Sequence, residues 1–289
     1  MRYLRRLRYA DLHCDTLTLP PVTGDVLHKR NAQVTLEKLL LGGAKLQAFA
    51  LFANALPNRA FVETCLYNFD QMIPTLQSVG ITPFLTVENA EFIAAYDMAD
   101  ELIRHGLKIC ALTWNYENSL GYPHAIKSGQ GGLKKRGKTL LEELLQKGVL
   151  PDISHLSDDG AADVFSIAKA FQTPVVASHS LCRAIMPHTR NLTDGQIKKI
   201  AASGGVVGVN FVRGFIGEKG LFAHVRHLWN VGGEDAVAIG SDIDGTENPL
   251  YSGADEMPKF FLDLQKSGFT ARQVEKIAYQ NAARVLLKE

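Results

Sequence analysis

The stretch LRYADLHCD, residues 7–15, carries a short apolar run onto Asp11, His13 and Asp15. The same layout returns along the chain. Residues 82–88 (TPFLTVE) finish on Glu88, 149–155 (VLPDISH) on His155, 174–179 (PVVASH) on His179 and 236–242 (AVAIGSD) on Asp242. Runs at 45–53, 108–114 and 205–211 bring the strand signals to eight. They are continuously apolar rather than alternating, as suits strands buried on both faces. Between most of them lie amphipathic stretches of helical period, such as 139–147 (TLLEELLQK) and 194–202 (DGQIKKIAA). Strand then helix, repeated about eight times in 289 residues, predicts an α/β fold of the (β/α)8 TIM-barrel type, a single domain over 1–289. A doubly wound open sheet is the competing topology, but no GxGxxG opens a helix after the first strand. The polar residues decide between the two. In α/β barrels the C-terminal strand ends carry the active site, and five separate runs here deliver His, Asp or Glu to that rim.

Composition narrows the partners. The chain is 46% hydrophobic and 21% charged with net charge +1, an ordinary globular balance that predicts neither nucleic acid nor an anionic membrane surface as partner. No apolar run approaches the roughly 18 residues of a membrane span. The N-terminal MRYLRRLR is basic but lacks the apolar core of a signal peptide. The expectation is a soluble cytoplasmic protein. Cys14, Cys65, Cys110 and Cys182 form no CxxC pair, and buried free thiols are expected rather than a disulfide framework.

Alternation along a strand puts His13 and Asp15 on one face, able to grip one metal ion. A lone HxD is more often two unrelated polar residues, and His155 or His179 alone is more often a satisfied histidine at a core edge. Together with Glu88 they form an imidazole and carboxylate set suited to zinc, manganese or iron. Three histidines and two carboxylates exceed the three protein ligands usual for one catalytic zinc. With Glu88 bridging, His13 and Asp15 would serve one ion and His155 and His179 the other. Two ions can trap a hydroxide between them and polarise a scissile carbonyl, which favours amide or ester hydrolysis. Asp242, ending its run directly, is the natural proton shuttle to the leaving amine, whereas Asp244-Gly245 fits a structural turn better.

At these residues the chain resembles the renal, or membrane, dipeptidase family of the amidohydrolase superfamily. The resemblance rests on DLHCDTL (11–17), Val87-Glu88, DISHLS (152–157), ASHS (177–180), RNLTD (190–194), GGVVGVNF (204–211) and GSDIDG (240–245). It implies a (β/α)8 barrel holding two zinc ions on His13, Asp15, Glu88, His155 and His179, and cleavage of dipeptides, including those with a C-terminal D-residue. It implies further that Arg190 binds the substrate carboxylate, as a guanidinium fork suits, that Asp242 is the catalytic aspartate, and that the protein is a homodimer, which nothing in the composition demands.

One departure stands out. The mammalian members carry a histidine after the fourth strand in a Leu-Thr-His context, where this chain reads Leu112-Thr113-Trp114-Asn115. Trp114 offers an indole N–H but no titrating ring. Substrate contact is therefore expected from Trp114, Asn115 or Tyr116, with His124 a further donor in the same loop. That loop, 115–138, is longer than the about 12–15 residues of ordinary connections and is expected to cover the metal site. Lys134-Lys135-Arg136 reads as a solvated helix start.

The reading is thus a zinc-dependent dipeptidase using a metal-bridging hydroxide. The alternatives are another binuclear amidohydrolase or phosphoesterase, and a metal-binding barrel without turnover. Retention of Asp242 argues against the last.

Overall fold

In the computed structural model, which describes residues 8–22 and 24–287, the chain forms seven parallel strands. They are β1 (Tyr9–Asp11), β2 (Ala44–Phe52), β3 (Thr82–Glu88), β4 (Leu107–Ala111), β5 (Leu150–Asp152), β6 (Val207–Val209) and β7 (Val237–Ile239). Their order across the sheet is β5-β4-β3-β2-β1-β7-β6. The expected basic N-terminal segment falls almost wholly on residues 1–7, outside the described residues, as does the first residue of the first predicted strand.

The predicted strand at 174–179 makes no extended ladder, yet it closes the sheet. Val176 N–H donates to the Pro151 carbonyl on one side, and Ala177 N–H donates to that of Val206 on the other. Single parallel bridges join Asp152 to Val176 and Ala177 to Val207. The segment stands between β5 and β6 at close quarters. A Cβ at Gly208 or Gly240 would overlap the Ser178 carbonyl, so these neighbours must be glycine. The result is the predicted (β/α)8 barrel, with one of its eight staves held by bridges alone.

Helices follow the strands where the amphipathic stretches predict them. The 194–202 stretch is the helix Asp194–Ala202, started by a capping box between Thr193 and Gln196. The 139–147 stretch belongs to Lys135–Gln146, whose Leu140, Leu141, Leu144 and Leu145 are buried. The strands are apolar on both faces for a structural reason. Phe49, Leu51, Leu85 and Val87 pack outward into the layer beneath the helices. Ala10, Leu46, Ile109, Leu150, Val176, Val206 and Ala238 form an inner cluster with Ala282, Val285 and Leu286 of the C-terminal helix Asn281–Leu287. One end of the barrel is thereby filled with hydrocarbon, while its polar residues gather toward the strand ends. All four cysteines are buried free thiols. Among the described residues no helix is long and apolar enough to cross a membrane.

Several predicted strands stop early, among them β1 at Asp11 rather than Asp15, β4 at Ala111 rather than Trp114 and β6 at Val209 rather than Phe211. β5 ends at Asp152 rather than His155, and β7 at Ile239 rather than Asp242. Three residues past those strand ends, His155 (φ 68°) and Asp242 (φ 61°) adopt the left-handed conformation. Non-glycine residues in that region concentrate at functional sites.

Candidate metal centre

The five predicted ligands converge. His13 Nε2 lies 3.4 Å from Asp15 Oδ2 and 3.5 Å from Glu88 Oε2. The other oxygen of the same carboxylate, Glu88 Oε1, lies 2.7 Å from His155 Nε2 and 3.5 Å from His179 Nε2. Glu88 therefore faces His13 and Asp15 with one oxygen and the His155–His179 pair with the other. His155 Nε2 and His179 Nε2 are 2.9 Å apart. Asp242 Oδ1 stands 3.8 Å from His13 Nε2, and His13, Asp15 and Asp242 form a second possible ligand group beside His13, Glu88 and His179. Asp242 is thus placed as a further carboxylate of the cluster, a position the sequence reading had not given it.

These atoms fit a divalent cation. His13 Nε2, Asp15 Oδ1 and Glu88 Oε1 are buried without a hydrogen-bond partner among the described residues, a costly state unless something else satisfies them. The 2.7 Å approach of Glu88 Oε1 to His155 is close but off the line of a hydrogen bond. Gly245 has no room for a Cβ, which would strike the carboxylates of Asp15 and Asp242.

The electrostatics follow. Burial, then Arg190, pushes His155 down to about 3, and burial with His13 and Arg190 carries His179 well below the ordinary histidine value. Both shifts favour the neutral ring, the form that offers a lone pair. Burial opposes charge on His13 too, but Asp15 and Glu88 outweigh it and raise its pKa. Burial raises Asp242 to about 8, with His13 opposing and Asp15 and Glu88 reinforcing.

Outer hydrogen bonds orient the rings, and sequence reasoning missed most of them. Ser178 Oγ lies 2.7 Å from His179 Nδ1 and in turn donates to Asp152 Oδ2. Asp152 Oδ1 accepts from the Ser154 and Ser178 N–H groups. Across the barrel Asp11 does the same for Ser241, accepting from its N–H at 2.8 Å and its hydroxyl at 2.5 Å. Each aspartate clamps the serine directly before a site residue, His179 or Asp242. The available signal was an acid two or three residues ahead of His13 and His155. Asp244 accepts from Thr16 Oγ1 and from the N–H groups of Gln33 and Val34, the structural turn expected of it.

Above the cluster opens a cleft of about 300 Å³, lined on its apolar sides by Leu19, Phe52, Trp114, Val212 and Phe215. Asn115 also lines it, and its Oδ1 accepts from His155 Nδ1 at 2.8 Å. Trp114 is a wall rather than a polar contact, packed edge-on against Phe52 and Tyr116. Tyr116 is 67% exposed and lines a neighbouring depression, not this cleft. Arg190 is buried beneath the rim and outside the cleft lining. It donates to Ser180 Oγ and the His179 carbonyl, both at 2.9 Å, while its Nε is a buried donor without a partner.

The long loop covers the site only with its first part. Beyond His124 it turns away, and the N–H groups of Gly129, Gly131 and Leu133 donate to Asp159 and Asp163 on the helix Asp158–Ala170. Lys134 stands at the N-cap position of the next helix without capping it, and it is not merely solvated, since it pairs with Glu117 at 2.5 Å.

A parallel barrel whose strand ends gather histidines and carboxylates around unpartnered buried atoms defines the class: a metal-binding (β/α)8 barrel. The sequence model of the membrane dipeptidase family, peptidase family M19, matches residues 59–289, and the chain belongs to that family of metallodipeptidases. It is 33% identical over 198 residues to a Klebsiella pneumoniae protein of the pqqA 5′ region, covering 63% of this chain and 72% of that one. It is 32% identical over 195 residues to the dipeptidase verJ of Clonostachys rogersoniana, covering 64% of this chain. The matched stretch spans about half, 49%, of that enzyme. Among solved structures, a Rhodobacter sphaeroides metallopeptidase liganded with a phosphinate mimic of L-Ala-D-Ala shares the fold. Its TM-score is 0.82 at 21% identity, over 98% of this chain and 99% of that one. The probable dipeptidase PvdM of Pseudomonas aeruginosa gives 0.83 at 18% identity, over 99% and 96% of the two chains.

Proposed function

We propose that this chain hydrolyses small dipeptides, L-Xaa-D-Xaa among them, with two zinc ions held by His13, Asp15, Glu88, His155 and His179. The observation that carries the reading is Glu88, whose two oxygens face opposite ligand pairs among buried atoms that lack partners. Family membership supports the dipeptide, and the phosphinate bound by the Rhodobacter relative supports the D-residue. Bound there, the ions supply Lewis acidity at the scissile carbonyl and lower the pKa of water.

The chain's own residues do the rest. Asp242, beside the cluster and raised toward neutrality, takes a proton from the attacking water and returns it to the leaving amine. The family resemblance assigns the substrate's C-terminal carboxylate to Arg190, which lies under the rim rather than in the cleft lining but keeps Nε as a donor without a partner. Asn115 supplies a neutral amide donor at the cleft, in place of the histidine that mammalian relatives carry one position earlier. Trp114, Phe52 and Phe215 exclude water and receive side chains.

The test is a panel of L,L and L,D dipeptides offered to zinc-loaded protein, each beside its C-terminal carboxamide. The parent protein is expected to cleave the free acids and discriminate against the amides. Arg190→Ala is expected to raise KM for the acids and erase that discrimination. Protein that holds zinc yet releases no amino acid from any of them would sink the substrate assignment.

A further inference from the structure

Three parts of the rim meet at Asn115. Its Oδ1 lies 2.8 Å from His155 Nδ1 and 3.2 Å from His124 Nε2. An amide oxygen only accepts, so both ring nitrogens carry protons at these contacts. For His155 this leaves the lone pair on Nε2, the atom 2.7 Å from Glu88 Oε1 in the ligand cluster. With the amide turned over, its NH2 would face those nitrogens instead, and His155 would hold its proton on Nε2, where it cannot ligate.

His124 carries the chain of bonds outward. Its Nδ1 lies 2.8 Å from Thr189 Oγ1, and Thr189 directly precedes Arg190. The ring is also anchored from behind. His124 N–H donates to the His155 carbonyl at 2.7 Å, and Pro123 pairs with Leu156. A loop residue is thereby fixed to the end of β5 while its side chain spans from Asn115 to the arginine segment.

We propose that Thr189, His124 and Asn115 form a positioning relay that fixes the tautomer and tilt of His155 and links that ring to the segment bearing Arg190. The relay rests on the metal-site part of the proposed function and not on the identity of the substrate. Such outer partners of ligating histidines govern metal affinity, commonly by about 10- to 100-fold. They also transmit a change at one end to the other only while the chain of bonds is intact.

The full chain, stripped and titrated with Zn2+ against a chromogenic chelator, reads the relay directly, with thermal melting as the check on folding. Asn115→Leu is expected to weaken Zn2+ binding by about 10- to 100-fold. Asn115→Asp, which still accepts from both rings, is expected to restore it. His124→Ala is expected to lower affinity less, and His124→Gln, whose amide can donate from the Nε2 position, to recover it. The double variant N115L/H124A should bind no worse than N115L, because the chain is already cut. Thr189→Val should leave zinc affinity near the parent value and raise KM for dipeptides at constant kcat. The proposal falls if folded N115L or H124A binds Zn2+ within about twofold of the parent, if N115D is no better than N115L, or if the losses in the double variant multiply. Should N115L fail to fold, the His124 pair decides by the same criteria. A chain that turns over no dipeptide overturns the substrate assignment, and the zinc titrations still decide the relay.

Discussion

At the scale of single residues, Asp242 holds the most unusual position in the barrel. Its backbone is left-handed and its carboxyl, partly exposed, sits beside His13, Asp15 and Glu88. Asparagine tolerates the same backbone region and keeps an oxygen for a cation, but it cannot carry a proton. Asp242→Asn is therefore expected to lower kcat on dipeptides by about 10²- to 10⁴-fold while zinc content, read by elemental analysis, stays at the parent level. Near-parent turnover in this variant would remove Asp242 from proton transfer. Its candidacy was legible in the sequence because it terminates an apolar run. Its closeness to His13 was not, since the two lie at opposite ends of the chain.

At the scale of elements, the helix Asp158–Ala170 anchors the segment that presents Arg190. Asp158 accepts two bonds from Arg183, at 2.7 and 2.9 Å, and a third from Gln196. The Arg183 hydrogen bonds and charge hold the Asp158 carboxyl below its ordinary value of 3.8, against partial burial. A depressed carboxylate contributes stability above its unfolded pKa and loses it as pH falls through the folded value. Asp158→Asn should therefore melt below the parent at neutral pH, by at most about 2–4 °C for a partly exposed pair. The gap should close as the pH drops under 3.8, and a gap that persists unchanged in acid would refute the assignment. The sequence announced Asp194–Ala202 by its periodicity, but not the bonds that tie Asp158 to Arg183 and to Gln196 on that helix, because partners 25 and 38 residues apart leave no periodic trace.

For the whole molecule, closure depends on backbone fit beside the stave at 174–179. A Cβ at Gly240 meets the Ser178 carbonyl, whereas one at Gly214 meets nothing within 4 Å. Gly240→Ala should cost about 1–3 kcal/mol or more, read as a fall in Tm, and should loosen zinc because His179 and Asp242 flank the contact. Gly214→Ala should melt with the parent. Metal and fold are coupled in the same way. Ligands drawn from separate staves exist as a site only in the closed barrel, so chelation is expected to lower Tm and added zinc to restore it. A Tm indifferent to chelation would separate the two.

By itself the sequence determined the barrel and marked the candidate ligands. Continuous apolar runs mark strands buried on both faces, and His13, Asp15, Glu88, His155 and His179 announce themselves by standing where such runs end. Both are local signals, written within a few neighbouring residues. The tertiary structure decided the rest. It set the two oxygens of Glu88 toward different residue pairs, put Arg190 under the rim instead of in the cleft, and left Tyr116 outside it. It also joined Asn115 to His155 across 40 residues and His124 to Thr189 across 65. Those contacts arise from closure of the barrel and the path of one long loop. No short stretch of chain encodes either, because each bond needs both partners delivered by different staves.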